Sequence, residues 1–134
     1  MATIFTKIVN GEIPCHKVWE DEDHFAFLDI RPVARGHTLV IPKKETNYLF
    51  DLSEEEHAAL WTAAHKVARK LKQVVGTKRV LVGVWGWEVP HVHIHLVPSD
   101  GREFPMPTPM GGEPDHEALA ALADRLRSQR RTGA

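Results

Sequence analysis

Three histidines alternate with apolar residues about two thirds of the way along the chain, and this pattern limits the possible folds more than any other. The segment reads Pro90-His91-Val92-His93-Ile94-His95-Leu96-Val97-Pro98. Successive side chains of a β-strand point to opposite faces of its sheet. The pattern therefore predicts a strand over Val89–Val97, with His91, His93 and His95 on one face and an apolar opposite face packed on a core.

Three imidazoles on one strand face indicate a functional site rather than a chance group of structural histidines. Two chemistries fit them. In one, a neutral imidazole attacks phosphorus and forms a covalent intermediate, while its neighbours donate hydrogen bonds to the phosphate oxygens. In the other, the histidines bind zinc and leave an open position for water. The outer two lie about 13 Å apart at Cα in an extended strand, which makes three ligands from one strand difficult.

The remaining segments predict a single α+β domain of 134 residues. Several short apolar segments lie between turn signals, and close spacing of strands favours an antiparallel sheet. The predicted strands are His16–Glu20, Phe25–Ile30, His37–Ile41, Arg79–Val84 and Val89–Val97. The predicted helices are a short one within Thr3–Val9, a long one over Glu54–Val75 and a last one over Asp115–Gln129.

The long helix has the clearest boundaries. Ser53 is a suitable N-cap, Glu56 stands where a capping box needs its acid, and Gly76 is a natural C-cap. Apolar residues recur at helical spacing between them and predict one buried stripe. They are Leu60, Ala64, Val67, Leu71 and Val74.

A segment rich in proline and glycine, residues 99–114, predicts a long extended loop. Because it directly follows the histidine strand, we expect it to begin beside the site. Its part from Arg102 to Met110 could line the leaving-group side of the site or reach a partner protomer; the alternative is a plain surface connector.

Composition excludes several classes of protein. The formal net charge is −1 and no basic stripe is present, which argues against a nucleic-acid partner. One cysteine permits neither an intrachain disulfide nor a cysteine-based zinc site. No signal peptide is evident, and no apolar run approaches the roughly 20 residues of a membrane span. These features predict a cytoplasmic protein without a membrane partner.

The histidine segment matches in full the signature His-φ-His-φ-His-φ-φ (φ, apolar) of the histidine triad (HIT) family, which the chain resembles from about Thr3 to Pro98. Further blocks occur in family order. They are Ile4-Phe5-Thr6-Lys7-Ile8, Gly11-Glu12-Ile13-Pro14, Trp19-Glu20-Asp21, Ala26-Phe27-Leu28-Asp29-Ile30 and Gly36-His37-Thr38-Leu39-Val40-Ile41-Pro42-Lys43.

The resemblance implies a homodimer of α+β protomers, each with a five-stranded antiparallel sheet, the two sheets joining across the interface. It implies a nucleotide hydrolase or transferase of the phosphoramidase-like branch, with no catalytic metal and no cofactor. The substrate would be a small purine nucleotide related to AMP.

Residue roles also follow from the resemblance. His93 would be the nucleophile that attacks the α-phosphorus, and His95 would contact the α-phosphate oxygens. His91 would set the orientation and protonation of the site, and Asp29 would bind the ribose hydroxyls. Apolar residues would wall the base; these are Phe5, Ile8, Phe27, Leu28 and Ile30. His37 is a candidate for support behind the triad.

The chain departs from the family pattern at a structural zinc site. Many bacterial members carry Cys-x-x-Cys near the N-terminus and a histidine after the Pro-Lys pair, which bind zinc together with the first triad histidine. Thr3, Thr6 and Glu45 occupy those positions here. We therefore predict no structural zinc.

A second departure lies just before the triad. Trp87 stands where the family usually has glutamine, and Glu88 where it has serine or threonine. We include Glu88 among the nucleotide-binding candidates, because it could assist proton transfer to the leaving group or pair with a cationic one. The alternative is a solvent-facing turn acid.

Three functions remain open at this point. The first is hydrolysis at the α-phosphate of a purine nucleoside phosphoramidate or phosphate ester. The second is a non-catalytic nucleotide-binding module, degenerate at Trp87 and Glu88. The third is a zinc-dependent hydrolase that uses His91 and His93 with Asp29 or Glu88.

Overall fold

Five antiparallel strands form one sheet in the order β1-β2-β3-β5-β4. The computed structural model describes residues 2–86, 88–101 and 112–128. The strands are β1 (Lys17–Glu20), β2 (His24–Leu28), β3 (Thr38–Pro42), β4 (Arg79–Gly83) and β5 (Ile94–Ser99). The helices are α1 (Ile4–Val9), α2 (Glu54–Val75) and α3 (His116–Ser128), with a short 3₁₀ helix at Leu49–Asp51. This confirms the predicted α+β class.

Helix α2 has the predicted boundaries and the predicted caps. The Ser53 hydroxyl accepts from the Glu56 backbone N–H at 3.1 Å, and the Glu56 carboxylate accepts from the Ser53 backbone N–H at 2.9 Å. Gly76 ends the helix at φ 81°, in the left-handed region that favours glycine. Four of the five predicted stripe residues are buried, and Val74 packs at the edge of the core.

The sheet has two apolar faces. On one face, α2 and α3 cover the main core, which includes Leu28, Val40, Ile94 and Leu96. On the other face a smaller cluster contains Phe5 of α1 together with Phe25, Phe27, Leu39 and Ile41. Because Phe27 pairs with Leu39 and Leu39 pairs with His95, the His95 side chain lies on the α1 face.

The predicted start of the histidine strand at Val89 is wrong. The strand begins at Ile94 and extends to Ser99. Before it the chain turns: His91 N–H donates to the Val89 carbonyl at 2.8 Å, and Val92 N–H donates to the Thr46 carbonyl at 2.7 Å. Pro90 lacks the backbone N–H that a continued ladder needs. His91 and His93 therefore precede the strand, and only His95 of the three lies within it.

Other predicted boundaries differ by one or two residues. Strand β2 ends at Leu28 rather than Ile30, and α3 begins at His116. Ser99 belongs to β5, so the predicted loop begins later. Residues 102–111 of that loop, Trp87 and Gln129 lie outside the described residues. Within the described part of the chain, no helix has the length and apolar character that a membrane crossing requires.

Candidate active site

The three triad histidines gather beside Phe5 of helix α1. The Phe5 ring meets the His91 ring edge to face at 5.8 Å between centroids and the His93 ring at 5.0 Å. The His93 and His95 rings are 5.0 Å apart. All three are buried. The turn before β5 thus brings together side chains that the sequence placed on one straight strand.

Hydrogen bonds fix the tautomer of His91. Its Nε2 lies 2.8 Å from the Pro42 carbonyl oxygen, which only accepts, so Nε2 carries the proton. In the neutral ring, Nδ1 then has a lone pair and accepts from the Thr3 hydroxyl at 2.8 Å. Both ring nitrogens of His91 are therefore occupied.

His93 is oriented by a main-chain group. Its Nδ1 donates to the carbonyl oxygen of His91 at 2.7 Å. In a neutral imidazole this assigns the proton to Nδ1 and leaves the lone pair on Nε2. A ring held in this way presents Nε2 as a nucleophile, in the way that a third group orients the base of a catalytic triad.

His37 assigns the proton of His95. The Val33 backbone N–H donates to Nδ1 of His37 at 3.2 Å, so Nε2 of His37 carries that ring's proton. This Nε2 donates to Nδ1 of His95 at 3.0 Å. His95 must then carry its proton on Nε2.

Nε2 of His95 is a buried donor without a hydrogen-bond partner among the described residues. Leaving a buried donor unpaired costs about 1–3 kcal/mol, and such groups concentrate at functional sites. This N–H therefore marks a place where an acceptor atom of a ligand would be favourable. The ring that carries this N–H is the neighbour of the His93 ring, whose Nε2 has the lone pair.

Burial keeps the imidazoles around His93 neutral. It lowers the pKa of His95 to about 3, with further contributions from His93 and His37. Burial also lowers the pKa of His91 and of His37, against smaller opposing effects of the Pro42 carbonyl on His91 and of the Asp29 carboxylate on His37. A neutral His95 can act as a hydrogen-bond donor without carrying charge at neutral pH.

We expect the protein to lose stability as the pH falls below about 6.5. The folded-state pKa of His95, about 3, is below that of the unfolded chain, so the unfolded state takes up the proton first. The contribution of His95 to stability is therefore fully present above about pH 6.5, and it is lost progressively as the pH falls toward 3. The free energy of unfolding in urea should fall on the order of 2 kcal/mol between pH 7.5 and 4.5 through His95 alone.

The matched measurement is the same urea titration on His95→Gln. It should show a smaller difference between the two pH values, because one of the buried groups is gone. An undiminished difference in this variant would mean that His95 is not responsible for the proton uptake.

Asp29 lies at the edge of this group. One of its carboxylate oxygens accepts from the Arg31 backbone N–H at 2.9 Å, and the other is 3.7 Å from Nε2 of His37. A carboxylate oxygen of Asp29 lies within 4.8 Å of a ring nitrogen of His95. The carboxylate is partly exposed, so it is available to a ligand hydroxyl beside the histidines.

The five predicted wall residues do not all reach the site. Phe5 and Phe27 are buried together on the histidine face, with Ile8 packed against them. Leu28 points the other way, into the main core under α2. This follows from strand alternation, which places neighbours such as Phe27 and Leu28 on opposite faces. Ile30 is 41% exposed beyond the end of β2.

Trp85 is a site residue that the sequence did not single out. Its indole stacks on the His95 ring at 4.1 Å and 12°. It packs over Gly83, where an added Cβ would lie 2.1 Å from Cζ3 of the indole. Gly83 is the β4 partner of His95. The sequence shows Gly83 two residues before Trp85. This spacing indicates a stacking contact with His95 only when the pairing of β4 with β5 is known.

A cleft of ≈ 460 Å³ opens beside His93, and Phe5 is not among the residues that line it. Its lining includes Tyr48, Phe50 and Trp85 and, among the described residues, no charged side chain. Glu88 is exposed and is not part of this lining. The exposure of Glu88 fits the alternative of a turn acid in solvent.

In the part of the chain that the structure describes, His91 and His93 do not come together with a carboxylate as a group that could hold a zinc ion. Both ring nitrogens of His91 are engaged by Pro42 and Thr3, as described above. Among the described residues, Asp29, His37 and His95 are close enough to hold a metal ion. However, Nε2 of His37 carries a proton and donates it to Nδ1 of His95 at 3.0 Å, so neither of these two nitrogens has a free lone pair for an ion. These residues fit a hydrogen-bonded chain better than a metal centre.

Comparison with known proteins places these observations in a family. A family model described as HIT domain matches residues 10–102. The chain is 33% identical over 135 residues to an adenosine 5′-monophosphoramidase of Schizosaccharomyces pombe, covering 96% of this chain and 98% of the relative. It is 40% identical over 101 residues to an adenosine 5′-monophosphoramidase of Saccharomyces cerevisiae, covering 73% and 63%.

Solved structures agree with the sequence comparison. A HIT-like protein of Bartonella henselae that is involved in cell-cycle regulation superposes with a TM-score of 0.79 and 33% identity. The superposition covers 94% of this chain and 95% of that one.

Proposed function

This chain belongs to the HIT family, and from that premise we propose that it cleaves a purine nucleoside phosphoramidate or phosphate ester at the α-phosphate through a covalent nucleotidyl-His93 intermediate. The related yeast proteins are adenosine 5′-monophosphoramidases. Family membership and these relatives support nucleotide hydrolysis in general. The intermediate and the substrate class are the proposal.

One observation carries the proposal: a lone pair on His93 Nε2 stands beside an unpartnered donor on His95 Nε2. A nucleophile needs a lone pair, and the phosphoryl group that it attacks builds up negative charge on its equatorial oxygens. The His95 N–H can donate to such an oxygen. Because that donor is fixed before the substrate arrives, it needs no reorganisation in the transition state.

The reaction has two displacements at phosphorus. In the first, His93 Nε2 forms a bond to the α-phosphorus while the P–N bond to the leaving amine breaks, and the departing amine takes up a proton. In the second, water attacks the same phosphorus, the P–Nε2 bond breaks, and a proton is released. The products are AMP and the free amine, and His93 returns to its starting state.

Asp29 and the apolar face of α1 support the nucleoside part of the substrate. The Asp29 carboxylate can accept hydrogen bonds from ribose hydroxyls near His95. Phe5, Ile8 and Phe27 pack together in the apolar cluster on the histidine side of the sheet, which supports placing the purine ring against this cluster. Leu28 supports the sheet from the opposite face. Ile30 is 41% exposed beyond the end of β2, and its part in this wall stays a prediction.

The uncharged cleft that His93 helps to line is the place that we assign to the leaving group. Its aromatic lining favours an apolar amine or alcohol over a strongly charged one. Glu88 does not line this cleft, so pairing of Glu88 with a cationic leaving group receives no support from the described residues.

The proposal is tested by release of AMP from adenosine 5′-phosphoramidate, with and without a metal chelator. We expect turnover that a chelator does not change, together with an acid-trapped nucleotide adduct located on His93 by peptide mass spectrometry. Tight AMP binding without turnover would instead support a non-catalytic nucleotide-binding module. Turnover that the chelator removes would support the zinc-dependent alternative.

The homodimer and the cytoplasmic setting stay predictions. Support for the dimer comes from β4, an edge strand on which Val82 is 51% exposed. An exposed apolar edge strand is suited to pairing with a second copy.

A further inference from the structure

We propose that Thr3, Thr6 and Glu45 form a clamp that positions the nucleophile His93 through His91, so that Thr3 and Glu45 are positioning residues of the site. The inference rests on the proposed function of His93. The clamp consists of these three side chains, which tie the start of helix α1 to the loop after β3.

The clamp is built on a single carboxylate oxygen. Oε1 of Glu45 accepts from the Thr3 backbone N–H at 2.7 Å and from the Thr6 hydroxyl at 2.7 Å. These bonds hold the Glu45 pKa below its ordinary range, so the carboxylate is ionised at neutral pH. An ionised acceptor makes stronger hydrogen bonds than a neutral one. Glu45 thus fixes the first turn of α1 from outside the helix.

The Thr3 hydroxyl passes this constraint to the triad. It accepts from the Thr6 backbone N–H at 3.1 Å as the N-cap of α1, and it donates to Nδ1 of His91 at 2.8 Å. The same residue therefore starts the helix and holds the first triad ring. Since Phe5 follows within the helix, the clamp also sets the position of the ring that packs edge to face on His93.

The last residue of β3 and the loop that carries Glu45 hold the triad at other atoms. The Pro42 carbonyl accepts from Nε2 of His91 at 2.8 Å, and the Thr46 carbonyl accepts from the Val92 backbone N–H at 2.7 Å. His91 is thus fixed at both ring nitrogens and at the residue that follows it. Its own carbonyl is the group that accepts from Nδ1 of His93 at 2.7 Å. A shift of His91 must move this carbonyl and, with it, His93.

The competing explanation is that Thr3 merely caps a short helix. Loss of an N-cap costs about 1 kcal/mol of stability and need not touch the chemistry. The two explanations differ in what they predict for His91 and His93. A positioning role changes the turnover number and the ring signals, because small misplacements of a reacting group can cost about 100-fold in rate.

The test compares Thr3→Val and Thr3→Ser. The valine variant lacks the hydroxyl and should lower kcat by about 10- to 100-fold while KM changes less than about threefold. The serine variant keeps the donor and the cap and should restore kcat. The control for a lost cap is Ser53→Ala at the start of α2, which removes the same kind of bond away from the site and should leave kcat unchanged.

Glu45 offers a second, independent pair of variants. Only Oε1 is used by Thr3 N–H and the Thr6 hydroxyl, and glutamine can place its amide oxygen there. Glu45→Gln should therefore retain most of kcat, whereas Glu45→Ala should lower it as Thr3→Val does. Equal rates for Glu45→Ala and wild type would contradict the proposal.

A spectroscopic readout separates this proposal from the proposed function. The ¹⁵N resonances of the His91 and His93 rings can be measured without substrate. In Thr3→Val the His91 Nδ1 signal should move toward that of an unbonded pyridine-type nitrogen, and the His93 signals should shift or broaden. In Ser53→Ala both should stay as in wild type.

The outcomes are distinct. If the wild type shows no turnover, the proposed function fails, while the His93 ring signals still decide whether the clamp positions that ring. Unchanged His93 signals in both Thr3→Val and Glu45→Ala would overturn the clamp, whatever the enzyme activity is.

Discussion

A His93→Asn enzyme is expected to release AMP from adenosine 5′-phosphoramidate on the order of 10⁴-fold more slowly than the wild type, or not at all. Asparagine can place its amide N–H where Nδ1 of His93 donates to the His91 carbonyl, so the local hydrogen bond can survive. It has no atom that replaces Nε2 as the nucleophile. The substitution thus removes the bond-forming atom and little else.

Two measurements make this result specific. AMP affinity, from calorimetry, should stay within about threefold of wild type, because the base and ribose contacts are on other residues. The control His65→Asn changes an exposed histidine of α2 and should leave kcat unchanged. Retention of more than a tenth of the wild-type rate by His93→Asn would assign the nucleophile to another group.

An Ile94→Ala protein is expected to lose about 3 kcal/mol of its free energy of unfolding. Ile94 is fully buried in the main core, and its neighbours His93 and His95 belong to the site. Truncation removes apolar contacts and leaves a cavity under α2 that the packed sheet cannot close. Such a loss is a large part of the roughly 5–15 kcal/mol that holds an ordinary domain folded.

A graded series distinguishes cavity formation from a general effect of mutation. Ile94→Val should cost about 1 kcal/mol, and Lys66→Ala on the exposed side of α2 should stay within about 0.5 kcal/mol. Urea unfolding at pH 7.5 measures all three. If Ile94→Ala and Ile94→Val were equally stable, the apolar side of this strand would not be a tightly packed core.

Local patterns predicted the elements whose signals lie close together in sequence. Helix α2 carries its caps and its stripe within about two dozen residues, so its boundaries could be read directly. The antiparallel arrangement followed from the short connections. The start of β5 could not be read, because the turn depends on a bond from Val92 to Thr46, which is far away in sequence.

The same limit applies to the site. Alternation identified the histidines, and the family resemblance assigned roles to His93 and Asp29. Neither could show that Leu28 faces the opposite side from the histidines, because this depends on the phase of β2 within the sheet. The stacking of Trp85 on His95 likewise depends on the pairing of Gly83 with His95. Contacts that depend on the register between strands cannot be predicted from one segment of sequence at a time.

The acceptor that orients His93 is a main-chain oxygen, and this has an evolutionary consequence. No substitution of a side chain can delete the His91 carbonyl, so selection acts on the path of the chain rather than on one residue's identity. Related sequences can therefore exchange the groups that hold His91 in place and keep the same nucleophile. The side chains that hold His91 can therefore change during evolution while the carbonyl that orients the nucleophile, and with it the reaction, stays the same.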